Sequence, residues 1–375
     1  MSSFEYYEFR AIDKPLSEKE QKTVSNWSSR TTATARRAVF TYSYRSFPRD
    51  IIETVATYFD AMFYMSDWGS TRLVFRFPKE IVSLEVLEPY CTEYGMVQCE
   101  QRGDYVILDM MDEEADIYWV DGEGHLDEFL ALREEIMEGD FRGLYLGWLK
   151  NVEYLDPDEL EGVEPPVPPG LNELTSAQRY FANQFRVNNL LIEIAAKVSP
   201  SLDLLASFDV EAGIQGLSEA ERVDFLVRFV KGEPALRPAL IKRLQSQAQS
   251  DPIELTRLSA LYLSDEAEKR ETQGRLKAEQ KAEEERIAAL EDLSDREFDE
   301  WEKIEALIEK RVGKFYKEAV ERMLKLKEVY VYRKEEAKFQ ELINEIYAQY
   351  SRLSSLKHIM KSKGLIKKES SEECS

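Results

Sequence analysis

The chain has 375 residues, 43% of them hydrophobic and 33% charged, with a formal net charge of −22. That length holds two or three domains, each with its own core. No apolar run approaches the ~18 residues of a membrane span, so no membrane partner is expected. The acidic balance opposes non-specific attraction to nucleic acid, leaving a basic partner or a bound cation as its natural complement, against a role in solubility alone.

The charge is concentrated. Residues 51–171 carry 28 acidic side chains against 7 basic ones, whereas residues 1–50 carry 6 against 9. The first residues, Met1 to Tyr6, show neither a basic segment nor an apolar core, and three cysteines do not make a disulfide framework. A cytoplasmic, reducing compartment is therefore expected.

Phe4 to Ile12 is aromatic-rich and ends at Asp13-Lys14-Pro15, a strand signal. Ser17 followed by Glu20 forms a capping box that starts a short helix. Ala38 to Tyr44 reads as a second strand, and a helix follows from about Asp50. Met62–Met65 and Arg72–Phe77 are further strands. In the latter, Leu73, Phe75 and Phe77 alternate with Arg72, Val74 and Arg76, which predicts one buried and one largely polar face. A helix near 81–90 leads to a hairpin of 96–100 and 105–109 turned around Gly103, then a helix over 126–137 and an apolar stretch over 144–152. The fold expected of this half is a mixed α/β sandwich.

Four prolines between Pro165 and Pro169 forbid helix and central strand, predicting a stiff spacer or a surface clamp. Beyond it the pattern is helical. Helices start at Thr175 and near Leu190, Ser218 and Glu221 form another capping box, and Pro234 is placed to open the next helix. Residues 253–293 hold one glycine, Gly274, and no proline. From Ser264 to Arg286 they are almost all charged or small, without a core-facing stripe. A solvated lever and half of an antiparallel coiled coil both fit. Apolar faces return at Trp301, Ile304 and Leu307, at Ala319, Met323 and Leu326, and at Phe339, Ile343 and Ile346, which predicts a helical bundle suited to docking. The expected organisation is a mixed α/β domain (1–155), a proline-rich linker (156–171), a small all-α domain (172–250), a long charged helix (251–295), a helical hairpin bundle (296–365) and a disordered tail (366–375).

The run Ile304 to Lys310, the run Phe315 to Val320, and the helix ending near Ile359 with Gly364-Leu365 together resemble the terminal helical region of bacterial SWIM zinc-finger proteins. Tyr6–Asp13, Tyr58–Ala61, Asp67–Leu73 and Pro165–Gly170 resemble an uncharacterised bacterial family with the same tail. The SWIM zinc ligands are missing here, so the resemblance implies neither zinc nor nucleic-acid binding. It implies an assembly involving an AAA+ ATPase and its accessory proteins.

Only His125 and His358 are present, and His125 reads as a solvated loop residue. Cys91 and Cys99 lack the short spacing of zinc sites and read as buried or idle thiols. No phosphate loop, dinucleotide fingerprint or nucleophile elbow occurs, and no cofactor or catalytic residue is assigned. Asp112, Glu113 and Asp116 are the candidates for holding a divalent ion, against a solvated acidic loop. Arg36, Arg37, Arg45 and Arg49 around Phe40, Tyr42 and Tyr44, with Trp68 and Arg72, form a candidate anion- or single-strand-binding patch, against internal salt bridging. The expected function is a non-catalytic adaptor or scaffold in a bacterial multiprotein assembly. The rivals are a nucleic-acid-binding or sensing protein using the arginine–aromatic patch, and an enzyme with a spatially assembled carboxylate site.

Overall fold

Short aromatic strands with charged residues between them need partners on both sides, and the chain supplies them in order. The computed structural model describes residues 4–29, 31–44, 46–92, 95–113, 122–154, 164–202, 210–247 and 255–366. Strand β1 (Phe4–Arg10) is followed by helix α1 (Glu18–Ser25), β2 (Thr31–Ala33), β3 (Arg37–Ser43) and α2 (Ile51–Tyr58). Next come β4 (Ala61–Ser66), β5 (Thr71–Pro78), a single turn α3 (Leu84–Leu87) that tightens into a 3-10 turn (Glu88–Tyr90), β6 (Val97–Arg102) and β7 (Tyr105–Asp112). The seven strands form one sheet in the order β2-β3-β1-β4-β5-β7-β6, antiparallel throughout.

The capping boxes are where local chemistry places them. Ser17 N donates to Glu20 Oε2 at 2.7 Å, and Glu20 N returns a bond to Ser17 Oγ at 3.3 Å, starting α1. Asp50 accepts from Glu53 N at 2.7 Å and starts α2.

Both faces of the sheet are covered. Tyr7, Phe9, Phe40, Met62, Tyr64 and Val74 pack with Val24, Val55 and Phe59 from the α1–α2 side. Tyr6, Phe63, Phe75 and Leu108 pack on the other side with Phe129, Trp148 and Phe181. Those last three come from α4 (His125–Met137), α5 (Arg142–Tyr154) and α6 (Ser176–Gln184), and α7 (Asn189–Ala196) completes that layer. The polar face expected of β5 is thus corrected: Val74 and Arg76 are both buried, because the arginine reaches an internal carboxylate.

The chain divides into two compact units, residues 1–270 and 271–375. The proline-rich stretch lies inside the first. Val167 and Leu171 are buried in the same core as the sheet, and Val167 N donates to Thr256 O at 2.8 Å. Arg142, buried in α5, donates to the carbonyl oxygens of Gly170 (3.0 Å) and Glu173 (2.8 Å). Proline removes donors but leaves carbonyls and neighbouring side chains available, so the stretch serves as a clamp.

The first unit continues with α8 (Val210–Gly216), α9 (Glu219–Val230), α10 (Leu236–Gln247) and the 36-residue α11 (Ala260–Asp295), which runs on into the second unit. Ala235 adopts a φ of 53°, so α10 begins two residues later than Pro234 predicts. Every side chain from Glu271 to Arg286 is exposed. The second unit packs α12 (Glu297–Glu309), α13 (Gly313–Tyr332), α14 (Glu336–Gln349) and α15 (Ser354–Ser362) around Ile304, Met323, Leu326, Phe339, Ile343 and Leu356. The fold class is therefore a mixed α/β sheet domain followed by a helical C-terminal half ending in a helical bundle. Among the described residues no helix is long and apolar enough to cross a membrane.

Candidate functional site

The arginines singled out in the sequence do not converge. Arg37 donates to Glu8 through Nε (2.8 Å) and Nη2 (3.1 Å). Arg72 forks onto Asp109 at 2.8 and 2.6 Å. Glu8 shares its face of β1 with Tyr6, whereas Arg72 pairs across from Tyr64 on the opposite face, so the sheet lies between the two pairs. Arg36 donates to the carbonyl oxygens of Ala11 (3.2 Å) and Ile12 (2.7 Å). Arg49 stacks over Trp27, 4.9 Å from its ring centroid. Phe40 is wholly buried, Trp68 is half exposed in the turn between β4 and β5, and Arg45 lies outside the described residues.

The Arg37 pair belongs to a closed network. Glu8, fully buried, also accepts from Tyr6 OH at 2.6 Å and Arg10 Nε at 2.8 Å. Burial alone would raise its pKa, but the bonds from Arg37 and Tyr6 outweigh it and hold the carboxyl below its ordinary range. Burial, reinforced by the same carboxylate, pushes the Tyr6 phenol well up. Beside this network His125 opens α4. It is half-buried rather than solvated, stacked on Phe63 at 5.4 Å between centroids, with Nδ1 2.5 Å from Tyr180 OH. Burial lowers its pKa.

A second buried network joins strand ends to helices. Asp60 accepts from Arg76 Nε (3.1 Å) and Nη2 (2.6 Å), and its other oxygen accepts from the backbone nitrogens of Ile12 (2.6 Å) and Asp13 (2.9 Å). Arg133 donates to Asp13 at 2.8 Å and to Arg76 O at 3.1 Å. Burial raises the Asp13 pKa despite the Arg133 charge. Both carboxylate oxygens of Asp60 are engaged, and through Ile12 N and Asp13 N the side chain orders the backbone.

Above Asp13 and Arg76 opens a cleft of about 860 Å³, walled by Lys14, Arg36, Tyr58, Phe225 and Lys242. Lys242 Nζ donates to the carbonyl oxygens of Glu80 (2.7 Å) and Ile81 (2.9 Å), tying α10 to the chain after β5. Arg36, Arg76, Arg228, Lys242 and Arg243 all hold internal acceptors, so these five cations of the cleft are committed to the fold.

Helix α9 forms one rim of this cleft. Its start is set by the capping box between Ser218 and Glu221, with Ser218 N donating to Glu221 Oε2 at 2.9 Å. Glu221, Phe225 and Arg228 turn inward, and Glu221 accepts from Arg243 Nε of α10 at 2.9 Å. Val223, Leu226, Val227 and Val230 turn outward and are 52%, 64%, 42% and 84% exposed. Their spacing of i, i+3, i+4 and i+7 makes one continuous stripe. No residue of the helix is fully buried.

Comparison with protein-family models, curated proteins and solved structures finds no match.

The remaining sequence candidates resolve simply. Asp112 ends β7, Glu113 is exposed beyond it, and Asp116 lies outside the described residues. Among the described residues no three His, Cys, Asp or Glu side chains gather as metal ligands. The sequence did show apolar residues throughout α9. What it withheld was the direction they face, although the 223/226/227/230 spacing marks them as a single surface.

Proposed function

We propose that the protein is a non-catalytic, cytoplasmic protein-interaction adaptor that receives a partner on the outward face of α9. The observation that carries this reading is the Val223–Leu226–Val227–Val230 stripe. Burying such aliphatic side chains stabilises by about 1.5–3 kcal/mol each, and here that gain is left for a binding partner. A helix with this anchor spacing suits helix-in-groove or helix-on-helix recognition. Glu219 and Asp224, which flank the stripe, favour a partner with basic residues beside its apolar anchors. The buried carboxylates Glu8 and Asp60 are saturated with donors, which supports a non-catalytic role. The resemblance of the C-terminal helices to SWIM-protein tails makes an AAA+ ATPase assembly in a bacterial cell the setting proposed for this partner. The nucleic-acid reading draws no support from Arg37 and Arg72, whose guanidinium groups are already forked onto carboxylates.

The test compares the wild-type chain with Leu226→Asp/Val230→Asp as baits in the native host. A partner held by the wild type and lost by the variant, at unchanged melting temperature, is the expected result. Identical partner sets for the two baits would overturn the reading.

A further inference from the structure

Cys91 closes the 3-10 turn after α3, and Cys99 lies on β6, an edge strand of the sheet. Their sulfur atoms are 2.7 Å apart. A disulfide bond is about 2.05 Å long, so joining them asks for less than about 1 Å of movement. Of the described residues between them, Thr92, Met96 and Val97 are held by their surroundings. Thr92 N donates to Val97 O at 3.2 Å, and Asn151 of α5 reaches into the turn, accepting from Met96 N at 2.6 Å and donating to Thr92 Oγ1 at 3.1 Å. Gly95 is required there: a Cβ at that position would sit 1.7 Å from Thr92 Oγ1 and 2.6 Å from Asn151 Nδ2. The two sulfurs are therefore kept face to face by the fold. Both residues are only partly buried, which admits a small oxidant.

We propose that Cys91 and Cys99 are an oxidisable dithiol, a modification site that hydrogen peroxide converts to an intramolecular disulfide. The roles of the two sulfurs differ. The Cys91 thiol donates toward Cys99, which lowers the Cys99 pKa and, together with burial, raises that of Cys91. Cys99 is the attacking nucleophile and Cys91 the resolving thiol. The Cys99 thiolate attacks one peroxide oxygen. The O–O bond breaks, and the departing hydroxide takes a proton from the medium to become water. Cys99 then carries a sulfenic acid. Cys91 sulfur gives up its proton and attacks Cys99 sulfur, the S–O bond breaks, and the leaving hydroxide takes that proton as a second water. Two thiols thus lose two electrons and two protons, while one peroxide becomes two waters. The new bond fastens β6 to the 3-10 turn and, through Asn151, to α5. A dithiol reductant reverses it by exchange.

The experiment uses the full chain with Cys374→Ser, which removes the third cysteine. Before oxidation two thiols titrate. After hydrogen peroxide none do, the intact mass falls by two hydrogens, peptide mapping joins Cys91 to Cys99, dithiothreitol restores both thiols, and the oxidised form melts at a higher temperature. Adding Cys91→Ser traps Cys99 as a dimedone-reactive sulfenic acid. Two thiols still titrating after peroxide, or a Cys99 sulfinic acid with Cys91 left free, would overturn the proposal. Should the Cys91→Ser chain fail to fold, thiol count and mass on the Cys374→Ser chain decide alone.

Discussion

The sheet and helix α9 handle side chains in opposite ways. In and beside the sheet, Glu8, Asp60 and Arg76 are buried alongside Phe9 and Phe75, while in α9 the aliphatic Leu226 and Val230 stand in water. Hydropathy alone would sort both sets the other way. The difference teaches that burial in this protein follows the availability of partners. A charge goes inside where an opposite charge and hydrogen bonds meet it, and an aliphatic side chain stays outside where its own unit offers no surface to cover it.

The largest test of that contrast is Asp60→Ala. It leaves Arg76 buried and unpaired and strips the acceptor from two backbone N–H groups. A loss of about 3–5 kcal/mol in urea denaturation is expected. A loss below about 1 kcal/mol would show that the sheet's buried charges do not depend on each other.

Glu8→Gln is the next step down, because Arg37 and Arg10 are partly exposed and regain water when the charge is lost. About 2–3 kcal/mol is expected. The sign with pH is fixed by the lowered pKa of Glu8. Its contribution is fully present above the ordinary carboxylate range and is lost as pH falls through the lower folded value, so the wild-type advantage over Glu8→Gln should shrink with acidification. Stability curves measured from neutral to strongly acid pH would reveal a constant gap if the network were electrostatically idle.

Gly274→Ala supplies a control between the two regimes. Gly274 is helical, and nothing lies within 4 Å of an added Cβ. The change should raise helix stability by up to ~1 kcal/mol through propensity alone, read as increased helicity on thermal melting. A destabilisation would mean that this segment contacts something.

The smallest expected effect is on the fold of the Leu226→Asp/Val230→Asp chain. Exposed positions shift stability by only about 0.5 kcal/mol each. A melting temperature that collapses would place the stripe inside the protein's own core.

Local order was legible in the sequence. The capping boxes at Ser17 and Ser218, the hairpin around Gly103 and the helical faces at Ile304, Met323 and Phe339 all rest on bonds or periodicities spanning a few residues. These are set by neighbouring side chains whatever the rest of the chain does. Tertiary structure decided the remainder. Arg37 meets Glu8 across 29 positions, and Arg133 meets Asp13 across 120. The prolines before Gly170 become a clamp because Arg142 and Thr256 arrive from elsewhere. Cys91 and Cys99 come within reach because the turn is folded around Asn151. Helix α9 turns its aliphatic face outward because its inward side is taken up by Glu221 on Arg243 and by Phe225 at the cleft. Periodicity tells which residues share a face, and only the assembled neighbours determine which face is covered.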